Sequence, residues 1–356
     1  MSSESNLPGR APARLAPIFV PRIWGARDLS PLFPERKNEK EPIGEAWLTG
    51  DACKFASGEF AGRALGEVWP SLPQDWTGTR LRGLPQFPLL VKFIFPEEKL
   101  SVQVHPNDEY ARQHESAAGG VGKTEMWYVV DARDAAAVRV GLRPGTTRES
   151  FQRDVASGTV EDCLGSVPVH TGEAIFVPAG TAHTICPGMV LCEIQQQSDI
   201  TYRVFDYNRV GADGKPRDLH LRQALEVMRF GEQRGGLCNP LRMTRGPATV
   251  TLYAACPYFA TERWEFGERI SAATSPEHFE LLIFLRGQGH IEFAGGAEPF
   301  APAEVWLLPA ALGAYQLAPA SPTTFLRAYV PDLQEIVKRL AASGVAEAAW
   351  SRVVHP

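Results

Sequence analysis

The sequence predicts a mainly β protein with two β-barrel or jelly-roll lobes and a few helices. From Ile18 onward, short apolar runs alternate with Gly- and Pro-containing turns, a pattern that is typical of antiparallel sheets. Apolar residues at helical spacing are confined to three stretches. Between residues 232 and 248, a segment with Gly235, Gly236 and Gly246 interrupts the strand pattern and predicts a linker between the lobes.

The predicted elements follow from apolar runs with β-branched and aromatic side chains, which fit a half-buried sheet. The clearest strands are predicted at residues 89–95, 100–105, 126–130, 174–177, 190–194, 202–205, 281–285, 289–293 and 305–308. The helices are predicted at residues 148–157, 217–229 and 332–342. Residues 1–17 are rich in Pro, Ala, Ser and Arg and are expected to be disordered.

The bulk composition restricts the function. The chain has 356 residues, of which 44% are hydrophobic and 22% charged, the profile of a soluble globular protein. A formal net charge of −5 argues against a nucleic-acid surface but is compatible with a small anionic substrate. The N-terminus has no apolar signal-peptide core, and the longest apolar run, residues 87–96, is too short to cross a membrane. Six cysteines without CxxC spacing are expected to be reduced, so we expect a cytoplasmic protein without membrane contact.

The most specific motif lies at residues 172–183. Gly172, Pro178, Gly180 and His183 have the spacing of the second motif of the cupin superfamily, which this segment resembles. Gly172 turns the chain into a strand at residues 174–177, and Pro178 with Gly180 forms the turn back. We therefore expect His183 to point into the mouth of a β-barrel.

Three further side chains could meet His183 at a metal. Gln103 and His105 are two residues apart and therefore project from one face of a strand, and Glu125 opens another strand. Two imidazoles with carboxylate and amide oxygens suit Zn²⁺, with Mn²⁺, Fe²⁺ or Co²⁺ as substitutes. The other histidines are interpreted as ordinary core or surface residues: His114, His170, His220, His278, His290 and His355.

Several segments resemble the type I phosphomannose isomerases, in particular their short bacterial form. They lie in the expected order at residues 22–25, 44–47, 90–93, 101–107 and 123–128, followed by the His183 motif. The most family-specific segment is residues 193–207, which read Glu-Ile-Gln-Gln-Gln-Ser-Asp-Ile-Thr-Tyr-Arg-Val-Phe-Asp-Tyr. The resemblance implies an isomerisation of mannose 6-phosphate through a cis-enediol, with an active-site arginine at Arg203. It also implies one zinc ion per chain, bound by Gln103, His105, Glu125 and His183.

The resemblance does not single out a catalytic base. Lys92, Lys123 and Glu193 are the candidates, and a lysine could serve only if its pKa were lowered by burial or by a nearby cation. The substrate phosphate is predicted to meet Arg209 or Lys92, because a dianion requires a guanidinium or an ammonium group. Three tryptophans in the matching segments are interpreted as core residues: Trp24, Trp47 and Trp127.

The C-terminal part repeats the cupin spacing without its chemistry. Residues 303–314 match the spacing of residues 172–183, but alanine replaces both glycines and Ala314 stands in place of the histidine. The chain is therefore predicted to be a double cupin. Its N-terminal lobe, residues 18–235, would hold the metal and the helical decorations, and its C-terminal lobe, residues 245–356, would be a degenerate cupin without metal ligands.

Two other functions are compatible with these motifs. A cupin oxygenase would use Fe²⁺ and consume oxygen, but it would leave the segment around Arg203 without a purpose. A non-catalytic sugar-phosphate-binding protein would have no need of metal, base and arginine together. The favoured prediction is therefore an isomerase whose partner is a small sugar phosphate. The sequence carries no signal of the oligomeric state.

Overall fold

A computed structural model describes residues 11–211, 214–232 and 235–356 of the chain. These residues form two compact units, each assembled from separated pieces of sequence. One unit comprises the residues up to Ile18, Leu48–Pro88 and Asn239–Pro356, and the other comprises Phe19–Trp47 and Leu89–Cys238. The two units therefore differ from the continuous lobes predicted at residues 18–235 and 245–356.

Strands dominate both units, in agreement with the predicted fold class. They are β1 (Ala13–Leu15), β2 (Ile18–Ala26), β3 (Ile43–Trp47), β4 (Leu89–Ile94), β5 (Val102–Val104), β6 (Glu125–Ala132), β7 (Ala137–Leu142), β8 (Leu164–Pro168), β9 (Ala174–Val177), β10 (His183–Ile185), β11 (Met189–Gln196), β12 (Tyr202–Phe205), β13 (Gly236–Leu237), β14 (Leu241–Arg245), β15 (Ala248–Ala255), β16 (Ala260–Phe266), β17 (Ile270–Ala273), β18 (Glu280–Arg286), β19 (Gly289–Phe293), β20 (Gly296–Phe300), β21 (Val305–Leu308), β22 (Ala314–Pro319) and β23 (Thr323–Tyr329).

The helices are short additions to these strands. They are α1 (Leu65–Val68), α2 (Gln74–Thr77), α3 (Asp108–His114), α4 (Arg148–Ser157), α5 (Leu221–Val227), α6 (Leu333–Ala342) and α7 (Glu347–Trp350). The helix predicted at residues 148–157 is confirmed, because Thr147 caps it with its side chain and Gly158 ends it in the left-handed conformation. The helix predicted at 217–229 is shorter than expected, since only α5 forms there.

Each unit contains two sheets. In the unit of residues 19–47 and 89–238, the larger sheet has the order β13-β9-β6-β11-β4-β3-β2 and the smaller β12-β5-β10-β7-β8. In the other unit, the larger sheet has the order β1-β21-β18-β23-β16-β15-β14 and the smaller β17-β22-β19-β20. An apolar core lies within each pair of sheets, formed for example by Val129, Val138 and Ile185 in the first and Leu282, Ile291 and Leu317 in the second. The predicted double cupin is confirmed by these two sheet pairs.

Two segments that were expected to be irregular contain strands. The expected disorder of residues 1–17 fails at Ala13–Leu15, which pairs with β21 in a sheet, while residues 1–10 lie outside the described part of the chain. The linker predicted at residues 232–248 includes the boundary between the two units, at Cys238 and Asn239, and it also contains β13, β14 and the first residue of β15. Strand pairing explains both observations, because a partner strand can order a segment with weak local signals.

Two further findings concern expectations from composition. All six cysteines are free, as expected. Within the described residues, no helix has the length and apolar character required to span a membrane.

Candidate active site

The smaller sheet of the unit of residues 19–47 and 89–238 aligns three candidate side chains on neighbouring strands. Gln103 on β5 lies opposite His183 on β10 and opposite Arg203 on β12. His105 follows β5 directly, on the same side as Gln103. Gly172 and Gly180, with φ angles of 92° and 84°, make the turns at the two ends of the β9 segment that set His183 at the start of β10.

The larger sheet of the same unit supplies a second row of charged groups. Glu125 is the first residue of β6, and Glu193 on β11 lies opposite Lys92 on β4. All three are almost fully buried, with at most 3% of each residue exposed. Buried charges require partners, so these positions point to chemistry and not to ordinary packing.

Two histidines and one carboxylate converge on a single point. Ligand atoms of His105, Glu125 and His183 all lie within 4.8 Å of one another. Glu125 Oε1 is 3.3 Å from His183 Nε2, and Glu125 Oε2 is 3.6 Å from His105 Nε2. Gln103 reaches the same point, with its Nε2 atom 3.3 Å from His183 Nε2.

The backbone fixes the orientation of both imidazole rings. The Nδ1 atom of His105 lies 2.8 Å from the carbonyl oxygen of Ile200, and that of His183 lies 2.9 Å from the carbonyl oxygen of Thr181. Each Nδ1 therefore carries the proton and donates it, which leaves the Nε2 lone pair directed at Glu125. Burial lowers the pKa of His183 to about 4 and lowers the pKa of His105 well below its usual value, so both rings are neutral near pH 7.

The Glu125 carboxylate is incompletely satisfied by protein groups. Neither of its buried oxygens has a hydrogen-bond partner among the described residues. Lys123 Nζ forms an ion pair with Glu125 Oε2 at 2.8 Å, and burial raises the pKa of Glu125. Two neutral imidazole Nε2 atoms beside this buried carboxylate form a ligand set that suits a divalent metal. The residues present therefore fit a metal ion.

A chain of buried ion pairs continues from Glu125. Lys123 Nζ lies 3.4 Å from Glu193 Oε1, and Glu193 Oε2 lies 3.4 Å from Lys92 Nζ. Lys92 also lies 3.7 Å from Glu45 Oε1. Burial opposes the charge on Lys92, but Glu193 and Glu45 outweigh it and raise its pKa, so this lysine stays protonated. Glu193, held between two ammonium groups, has a pKa well below its usual value despite its burial.

Arg203 completes the site from β12. Its Nη1 atom donates to the carbonyl oxygen of Asp218 at 3.0 Å, while its buried Nε has no hydrogen-bond partner in the described part of the chain. Burial and the neighbouring Arg217 lower its pKa. A cavity of about 540 Å³ opens in front of these groups. Its lining includes Arg22, Lys92, Gln103, Lys123, Glu125, Glu193, Arg203 and Arg217.

Comparisons with known proteins identify the family to which this chain belongs. No family model matches the chain. It is 33% identical over 310 residues to the mannose-6-phosphate isomerase ManA of Bacillus subtilis, covering 86% of this chain and 95% of that protein. It is also 33% identical to the mannose-6-phosphate isomerase of Streptococcus mutans, over 76% of this chain and 83% of the relative. The chain belongs to the mannose-6-phosphate isomerase family. A crystal structure of the mannose 6-phosphate isomerase from Bacillus subtilis superposes with a TM-score of 0.81 at 27% identity, over 89% of this chain and 99% of the other.

Arg209 differs from the other predicted site residues of this family member. It is not among the residues that line the cavity. Its Nη2 atom pairs with Asp206 at 2.6 Å, and its Nη1 atom donates to the carbonyl oxygen of Lys99 at 2.6 Å. Its guanidinium is thus already occupied by protein acceptors, whereas Lys92 faces the cavity.

Sequence reasoning missed several residues of the cavity wall. Glu45 pairs with both Lys92 and Arg22, and Arg217 holds Asp206 beside Arg203. His220, interpreted as an ordinary residue, lines the cavity, and its Nδ1 atom accepts a hydrogen bond from the Arg203 backbone nitrogen at 3.3 Å. In the sequence, Glu45 was indicated by its place in the segment at residues 44–47, which resembles the family. Trp24 and Trp127 are core residues as interpreted, and both also line the cavity.

Proposed function

We propose that this chain interconverts mannose 6-phosphate and fructose 6-phosphate at the cavity bounded by Arg203 and the His105–Glu125–His183 cluster. The observation that carries the proposal is the buried metal-ligand set directly beside a row of fixed cations. An oxygenase or a binding protein has no use for this combination. Membership of the family supplies the substrate.

The metal is proposed to be zinc, held by Gln103, His105, Glu125 and His183. Imidazole nitrogens with carboxylate and amide oxygens suit Zn²⁺. The Gln103 oxygen accepts a hydrogen bond from Ser101 Oγ at 3.2 Å, so ligation requires the amide to turn and present that oxygen to the cluster. When bound, a divalent cation supplies stabilisation of the negative charge that develops on a substrate oxygen.

The protein groups divide the remaining work. Moving a proton between C1 and C2 of the open-chain sugar generates a cis-enediolate, whose charge needs donors fixed in advance. Arg203 has an unused buried Nε donor for this purpose. Of the three candidate bases, Lys92 and Lys123 are held protonated by their carboxylate neighbours, which leaves Glu193 as the group able to accept a proton.

Lys92 is the proposed partner of the substrate phosphate, because it faces the cavity and Arg209 does not. We expect Lys92→Met to raise KM for mannose 6-phosphate about tenfold to a hundredfold, the loss of one charge-assisted hydrogen bond, with a smaller change in kcat. Glu45 keeps Arg22 and Glu193 keeps Lys123 as ion-pair partners, so the variant should fold. Arg209→Met is the matched control, and a KM increase in the control alone would assign the phosphate to Arg209.

Metal removal tests the proposal as a whole. In an assay that couples fructose 6-phosphate formation to a detected product, we expect turnover of mannose 6-phosphate that disappears after dialysis against a chelator. Added Zn²⁺ should restore it, since ligand geometry and protonation are set by the backbone contacts of the two histidines. Binding of the sugar phosphate without any turnover in the metal-loaded protein would leave only a binding function.

A further inference from the structure

The second pair of sheets repeats the first strand by strand. The sheet order β9-β6-β11-β4-β3 corresponds to β21-β18-β23-β16-β15, and β5-β10-β7-β8 corresponds to β17-β22-β19-β20. The register agrees as well, because Glu125 pairs with Val177 as Glu280 pairs with Leu308. Residues of the two barrels can therefore be matched by position.

At the matched positions, the second barrel lacks the proposed ligands Gln103 and His183. Gln103 and His183 lie opposite each other in the first barrel, and Ala273 and Ala314 lie opposite each other at the same place in the second. The carboxylate survives, since Glu280 occupies the position of Glu125. Without the histidines, a buried carboxylate needs another cation.

Arg327 is that cation. It occupies the position of Glu193, and its partner across the strands, Glu262, occupies the position of Lys92, so the ion pair has reversed its charges. Arg327 Nε donates to Glu280 Oε2 at 2.9 Å and its Nη2 to Glu280 Oε1, while its Nη1 lies 3.3 Å from Glu262 Oε2. The charge that a metal would neutralise is therefore neutralised by a side chain.

The second barrel nevertheless has a larger cavity than the first. Its volume is about 810 Å³, within the usual range for sites that bind small molecules. Aromatic groups of Trp264, Tyr315 and Tyr329 line it together with four arginines. The four are Arg245, Arg269, Arg327 and Arg339.

Two of these arginines lack a full set of acceptors. Glu262 already accepts from four donors: Trp264 Nε1 at 2.9 Å, Tyr329 OH at 3.2 Å, Arg327 Nη1 at 3.3 Å and Arg339 Nη2 at 3.4 Å. The two carboxylate oxygens of Glu262 therefore have no lone pair left to accept a further hydrogen bond. Arg339 Nε is buried without a hydrogen bond. Arg245 lies over the face of Trp264 at 5.6 Å and is attracted electrostatically by Glu262, but its side chain forms no hydrogen bond or ion pair within the described ranges.

Acidic groups at the rim do not supply the missing acceptors. Asp332 pairs with Arg80, and Glu335 pairs with Lys338 at 2.6 Å. Glu277, the third acidic residue of the lining, forms no ion pair with Arg245 or Arg339 in the described part of the chain. Arg269 pairs with Glu292. The guanidinium donors that lack acceptors therefore belong to Arg245 and Arg339, whose planar forks fit phosphate and carboxylate oxygens.

We propose that the cavity of the second barrel binds a small anionic molecule, of phosphate-ester or carboxylate chemistry, with Arg245 and Arg339 as its charge partners. The aromatic side chains provide apolar contact for the rest of the ligand. This site is separate from the proposed active site and does not depend on a metal.

Chemical protection of individual arginines tests the site in the unaltered, metal-loaded chain. The protein is treated with an arginine-specific dicarbonyl reagent while inorganic phosphate or malonate is titrated, and modification is followed by mass spectrometry for each peptide. We expect either anion to slow the modification of Arg245, about tenfold when the anion reaches about ten times its dissociation constant. Arg242, exposed on the same strand, is the matched control and should react at an unchanged rate.

The modification rate of each arginine shows which of the two cavities binds an anion, and the choice of anion distinguishes phosphate from carboxylate chemistry. Protection of Arg203 alone would overturn this inference while leaving the proposed function intact, and protection of Arg245 by only one anion would identify the chemistry. Should Arg245 prove unreactive, the affinities of Arg245→Met and Arg242→Met for the same anions are measured by calorimetric titration. The first should weaken binding about tenfold and the second should bind like the wild type. Equal binding by both variants would rule out the site.

Discussion

We expect His183→Ala to lose both the metal and the isomerase activity while retaining its fold. The side chain is 1% exposed, and its Nε2 atom faces Glu125 at 3.3 Å, so alanine removes one of the three clustered ligand atoms. Loss of the cation removes several kcal/mol of charge stabilisation, and turnover should fall by about a thousandfold or more. Metal content, measured by elemental analysis, should fall in parallel.

The second barrel indicates that the alanine variant will fold. Ala314 occupies the position of His183 in a sheet of the same register, and the strand β22 that begins with it pairs normally. His170→Ala is the matched control, because this histidine is on the surface, with 80% of its side chain exposed. A His183→Ala protein that kept its metal and its rate would remove the cluster from the mechanism.

The comparison of the two barrels distinguishes the residues that the fold requires from those that only the metal cluster requires. Ala303, with a φ angle of 63°, retains the backbone conformation of Gly172 although its side chain makes this unfavourable. Glu280 and Arg327 retain a buried ion pair where the first barrel has Glu125 and its partners. The architecture therefore tolerates the loss of every ligand except the carboxylate, provided that the carboxylate keeps a cation.

The local sequence pattern was sufficient to predict the two strands that carry the cupin spacing. The predicted strands at residues 174–177 and 305–308 coincide with β9 and β21, because both lie between tight turns whose residues are visible in the sequence. The strand β16 was not predicted, since buried Glu262 and Thr261 interrupt its apolar pattern. Its order comes from pairing with β15 and β23, which single-segment patterns do not contain.

The residues of the site were likewise predictable only where a local pattern fixes the direction of the side chain. Gln103 and His105 could be paired from their spacing, since alternate residues of a strand share a face. Arg217 and His220 reach the cavity from residues just before α5, which the apolar spacing predicted as helical but which have no regular structure. The roles of Arg209 and Lys92 could not be ranked from sequence either, because the competing contact between Arg209 and Asp206 exists only in the folded chain.

The second large effect is expected from Arg203→Ala, which should lower kcat while leaving the metal in place. Arg203 lies one strand away from Gln103 and makes no contact with the three-residue cluster, so metal content should equal that of the wild type. Removing one fixed donor from a developing oxyanion typically costs about 10²–10³-fold in rate. Steady-state kinetics with mannose 6-phosphate, together with elemental analysis, measure both quantities.

Two comparisons make this outcome specific to the guanidinium. Arg203→Lys retains a positive charge but loses the planar fork, so it should recover only part of the rate if direction matters as well as charge. Arg222→Ala removes a surface arginine, 83% exposed in its side chain, and should leave kcat unchanged. Near-normal turnover in Arg203→Ala would transfer the stabilisation of the enediolate to Lys92, Lys123 and the metal. Loss of metal in that variant would instead make Arg203 a structural support of the Gln103 strand.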